Sequence, residues 1–168
     1  MISSRHGTEE TGGERAREAL RHEEFVRKVQ RRSELATPAA AVLAIEATLA
    51  ALGERVRAEA NGLASVGEGE MDPELLPELA SLLPGRLGEA LLESSAGTAD
   101  HGEGEESSLT EFSLTEFFER VGAATGVGLA EAERHACAVA LTLEEAVGDG
   151  GLNGVLSRLP DEYEFLLV

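Results

Sequence analysis

A chain of 168 residues holds one or two small domains and excludes a large multidomain enzyme. Its 32 acidic residues against 14 basic ones give a net charge of -18, which excludes nucleic-acid binding by simple electrostatics. A single cysteine and the lack of any apolar run long enough to cross a bilayer exclude a disulfide framework and a membrane anchor, so the expected address is the cytoplasm.

Ala and Leu total 49 residues while Val and Ile total 13, a balance that lowers the cost of helix and leaves little from which to build strands. All but one of the basic residues are arginine, and with the Ala and Gly content this points to a GC-rich bacterial genome. Charge is uneven along the chain. Residues 1–32 carry +2 and residues 33–168 carry -20, so the first helix is the only positive region. Its stretch Arg27, Lys28, Arg31, Arg32 either meets an anionic partner or offsets the protein's own acidic surface, and exposed-charge energetics favour the second.

In chain order, residues 1–13 are polar, lack apolar periodicity and read as a disordered arm. From Glu14 to about Ser33, Ala16, Leu20, Phe25, Val26 and Val29 form the apolar stripe of a surface helix. Thr37 then caps a new helix and Pro38 takes its first position, where no hydrogen bond is lost. Val42, Ile45, Leu49, Leu52 and Val56 follow at helical spacing until Asn61 and Gly62 offer a stop. Residues 62–71 are a Gly- and Glu-rich insertion. Asp72 and Pro73 restart helix, with Pro77 early in it and Leu75, Leu76, Leu79, Leu82 and Leu83 on the buried side as far as Pro84. A short helix with Leu87, Leu91 and Leu92 inward completes residues 14–92.

Residues 93–107 read as an acidic linker. Beyond it, within residues 108–168, the pentapeptide Ser-Leu-Thr-Glu-Phe occurs at 108–112 and again at 113–117, each copy with the spacing of a capping box; Ser113 with Glu116 is the better-placed start. That helix buries Phe117, Phe118 and Val121 and ends near Gly126 and Gly128. A long helix from Leu129 to Val147 turns Ala132, Ala136, Ala140, Leu143 and Val147 inward and ends at Gly148. Leu152, Val155, Leu156 and Leu159 form a shorter helix up to Pro160, and Tyr163, Phe165, Leu166 and Leu167 close a packed C-terminus.

The two halves share their order of elements. EFVRKV at 24–29 matches EFFERV at 116–121, Ile45, Leu49, Leu52 and Val56 fall on Ala136, Ala140, Leu143 and Val147, and SLLPGRLGEALL at 81–92 lies on SRLPDEYEFLLV at 157–168. One-sided helical units given twice bury their faces against each other, so the expected fold is all-α, two tandem repeats of three to four helices packed as a pseudo-symmetric bundle. The phrase EF-x-x-x-V, a long amphipathic helix and L-x-x-x-L-P with an apolar close, given twice with Val155 in place of the first Leu in the second copy, resembles the bacterial tandem-helical family called domain of unknown function 2267 over most of residues 20–168. The first half departs from this pattern in its insertion and in Leu91 and Leu92 where the second half ends in aromatic residues. The resemblance implies an all-helical fold and brings no catalytic residue.

No reactive constellation assembles in the sequence, and no catalytic, cofactor-binding or metal-ligating residue is assigned. Cys137 and His135 lie two positions apart and point about 200° from each other on a helix, which keeps thiol and base from pairing. His101 with Asp100, Glu103, Glu105 and Glu106 groups possible metal donors, without the spacing of a defined site. Gly122, Gly126 and Gly128 follow no strand and read as a helix end, and Gly148 to Gly154 reads as a turn region. Glu144 and Glu145 are adjacent and diverge. The expected function is a non-enzymatic helical protein–protein interaction or regulatory module. Its partner is either a second copy, approached closely over Ala132, Ala136 and Ala140, or a peptide helix in an apolar groove. The alternative is an acidic surface that engages a basic protein or mimics nucleic acid.

Overall fold

The computed structural model describes residues 7–60, 74–84, 86–93, 113–148, 151–157 and 161–167. These form seven α-helices: α1 (Gly7–Arg32), α2 (Pro38–Ala60), α3 (Leu75–Leu82), α4 (Arg86–Glu93), α5 (Leu114–Thr125), α6 (Leu129–Val147) and α7 (Gly151–Leu156). A 3-10 helix follows at Asp161–Leu167, and no strand occurs among the described residues. The insertion at 62–71, residues 94–107 of the linker with its donors His101, Asp100, Glu103, Glu105 and Glu106, and the first Ser-Leu-Thr-Glu-Phe copy lie outside the described residues.

Local chemistry sets the helix ends. Thr37 Oγ1 accepts from the Ala40 amide at 3.2 Å, and Pro38 opens α2. Ser113 caps α5 by accepting from the Glu116 amide at 3.3 Å, and Gly126, left-handed at φ 74°, closes the same helix. Gly148 at φ 85° ends α6. Pro77 lies in the first turn of α3, where its missing N–H would have had no intrahelical partner, so the helix runs through it. Glu34 ends α1 at φ 55°, unusual for a residue with a side chain.

The helices α2 and α6 pack against each other at the centre; α1 and α5 each touch both of them. The helix α4 covers α2, and the C-terminal 3-10 helix covers α6. The core joins Phe25, Val29, Ile45, Leu49, Leu87, Leu91, Phe117, Val121, Leu143 and Tyr163 into one buried cluster.

Four apolar residues expected inside face solvent. Leu20 is 65% exposed because it stands nine positions before Val29, half a helical revolution round from the buried edge of α1. Leu82 is 51% exposed at the last residue of α3, Leu92 turns outward on α4 while Leu91 is buried, and Phe165 is 48% exposed while Tyr163 and Leu166 on either side point in. The N-terminal segment differs as well. Helix begins at Gly7, seven residues before Glu14, since extending an existing helix needs no new nucleus. Part of the expected disordered arm therefore belongs to α1, and residues 1–6 lie outside the described residues.

Candidate functional site

Arg21, Glu24, Phe25 and Lys28 recur at helical spacing on one side of α1, and Thr142 and Ala146 stand one turn apart on α6. Between these two helices and the turn from α3 to α4 lies a cavity of about 390 Å³. Leu82 and Pro84 supply its third wall. Phe25 is buried, whereas Arg21, Glu24, Lys28, Leu82 and Ala146 are exposed around it, so the groove has an aromatic floor and a partly charged rim. Its size falls within the range of ordinary binding clefts.

Ion pairs tie the groove's two helices together. Lys28 lies 3.8 Å from Glu24 and 3.6 Å from Glu145. Arg32 donates to Glu145 at 2.5 Å and to Thr142 Oγ1 at 2.8 Å, while Thr142 donates to the Ala138 carbonyl at 2.7 Å. The hydrogen bond from Arg32 holds the Glu145 carboxyl below the usual carboxylate range. Arg27 pairs with Glu23 at 2.5 Å. Three of the four residues in the basic stretch thus meet the protein's own carboxylates. Arg31 and Arg21 make no ion pair among the described residues.

A second constellation occupies the other side of the bundle. Arg120 bridges Glu54 of α2 and Glu116 of its own helix. Tyr163 is fully buried, its ring 5.8 Å from Phe117 in an edge-to-face arrangement and 5.4 Å from the guanidinium carbon of buried Arg55. Burial pushes the Tyr163 hydroxyl well above the usual phenol range, with the Arg55 charge opposing the shift. Glu162 adds a cap by accepting from the Leu114 amide at 3.0 Å. Sequence reasoning does not find Arg55, because an arginine beside an apolar stripe ordinarily snorkels to water. The one available signal is its place three residues after Leu52 on the buried face of α2.

Among the described residues, those singled out for chemistry are not brought into one arrangement. His135 is buried, which lowers its pKa, and its Nδ1 has no hydrogen-bond partner among the described residues. Cys137 is half-buried, and burial with Glu133 nearby raises its thiol pKa, the opposite of an activated nucleophile. Glu145 faces α1 through its ion pairs, and Glu144 takes no part in them. Gly122 sits where a Cβ would come 2.9 Å from the Val127 carbonyl oxygen, so it serves the close turn into α6. Ala132, Ala136 and Ala140 are buried within the chain's own core, and the close approach they permit is used there rather than offered to a second copy. Among the described residues no group of three His, Cys, Asp or Glu side chains is placed to hold a metal, and no helix is long and apolar enough to cross a membrane.

Comparison with curated protein sequences finds no match. A family model described as an uncharacterized conserved protein (DUF2267) matches residues 67–166, a span that runs from before α3 into the C-terminal 3-10 helix. That span is more than half of the sequence, and with the all-helical architecture the chain belongs to the DUF2267 family.

Proposed function

We propose that this protein is a non-enzymatic interaction module of the cytoplasm, built from two tandem helical repeats, that receives a segment of a partner protein in the groove between α1, α6 and the α3–α4 turn. The groove carries this reading: an aromatic floor, an exposed apolar rim at Leu82 and charged residues around them are the ingredients of a peptide-binding cleft.

Paired features support the two-repeat arrangement. Phe25, Val26 and Val29 are buried as are Phe117, Phe118 and Val121, their counterparts in the sequence match. Lys28 bridges Glu24 and Glu145 just as Arg120 bridges Glu116 and Glu54, and each of these positions maps onto its counterpart. The helix α1 touches α6 as α5 touches α2, with α2 and α6 meeting at the centre.

The test is capture of partners by the tagged protein and by Leu82→Glu, an exposed substitution whose fold is checked by circular dichroism. A protein bound by the wild type and lost by Leu82→Glu supports the groove. Equal capture by both, with binding lost at moderate salt, assigns binding to the acidic surface instead.

A further inference from the structure

We infer that the groove takes an aromatic side chain carried on an acidic segment of the partner protein. The inference rests on the two-repeat reading, because the second repeat contains the same site already filled. Under the sequence match, Phe25 corresponds to Phe117 and Lys28 to Arg120, while Ala146 corresponds to Arg55 and Leu87 to Tyr163. In the second repeat the space against Phe117 holds the Tyr163 ring at 5.8 Å, with Arg55 stacked on it. In the first repeat a methyl group and a leucine stand at those two positions: Leu87 is buried in the core, while Ala146 lines, with Phe25, a cavity of about 390 Å³.

The missing cation is supplied differently. Arg21, on the groove wall, corresponds to Ser113, which has no charge. Its guanidinium makes no ion pair among the described residues. What the first repeat lacks is the ring. The filled site also shows the setting of that ring, since Tyr163 lies between Glu162 and Glu164. Where Glu162 stands in the second repeat the first has Arg86. On the groove itself Lys28 is shared between Glu24 and Glu145, so Arg21 is the basic side chain left to meet an acidic segment. The occupant is therefore an aromatic residue with acidic neighbours, its ring against Phe25 and a neighbouring carboxylate toward Arg21.

The probe is a labelled synthetic peptide, acetyl-DEYEFLL-amide, titrated into the full chain and followed by fluorescence anisotropy. A control peptide of equal charge carries alanine in place of both aromatic residues. The variants are Ala146→Arg, which restores the second repeat's bulk at an exposed position, and Leu82→Glu, each verified by circular dichroism. The expected result is that loss of the rings weakens binding about tenfold or more. Ala146→Arg abolishes binding although it adds a positive charge. Equal binding of both peptides, or tighter binding to Ala146→Arg, shows plain charge attraction and overturns the inference, as does no binding of either peptide. If a partner captured by the wild type is lost in Leu82→Glu while the peptides fail, the interaction module stands and the aromatic occupant falls. If capture and peptides both fail, both readings fall. Self-association of the full chain that Ala146→Arg abolishes supports the inference with a second copy as the partner.

Discussion

Replacing Tyr163 by alanine removes a fully buried ring from the junction of α2, α5 and the C-terminal 3-10 helix. Emptying a buried aromatic position costs about 3–5 kcal/mol through lost transfer energy and the cavity left behind. The edge-to-face pair with Phe117 and the Arg55 cation over the ring keep this site off the bottom of that range, at about 4 kcal/mol. For a chain of this length that lowers the midpoint by about 8–16 °C, at about 2–4 °C per kcal/mol. Phe165→Ala is the internal control. It lies two residues away and is half exposed, so its loss stays within about 0.5 kcal/mol. Thermal unfolding and urea titration followed by circular dichroism at the helix band measure both variants. A loss below about 1 kcal/mol for Tyr163→Ala, or equal losses for the two, refutes the packing argument.

Gly88→Ala places a Cβ in collision with the Ala80 carbonyl oxygen and forces α3 and α4 apart, with an expected loss of about 1–3 kcal/mol by urea titration. Glu34→Gly relieves the left-handed end of α1 and raises stability by about 1 kcal/mol in the same titration, with the 3.8 Å pair to Arg134 too exposed to offset it. His135 has a pKa below its ordinary 6.5 in the fold, so the unfolded chain takes up the proton first. Its contribution is complete above pH 6.5 and is lost as pH falls from there through the folded-state value; the pH dependence of unfolding is flatter in His135→Gln over that window. The raised pKa of half-buried Cys137 predicts alkylation by iodoacetamide at pH 7.5 slower than that of glutathione, as read by mass spectrometry; an equal or faster rate contradicts the burial.

Helix boundaries and the buried stripes are the parts of this fold legible in the amino-acid order, because they arise within a few residues of each other. Thr37 with Pro38, Ser113 with Glu116, Gly126 and Gly148 mark their helix ends through bonds and backbone angles that span at most four residues. The spacing of Phe117, Phe118 and Val121, and of Ala132, Ala136, Ala140 and Leu143, likewise names the buried faces of α5 and α6. Family membership follows from the same order. Only the tertiary structure decides which apolar residues at the edge of a stripe are covered. Leu82, Leu92 and Phe165 remain exposed because no element among the described residues covers them, and helical periodicity carries no information about the neighbour. The burial of Arg55 depends on a ring 108 positions further along, and the groove's ion pairs join residues 113 apart in the case of Arg32 and Glu145. Such contacts are products of how α1, α2 and α6 are set against one another, and the candidate site consists almost entirely of them.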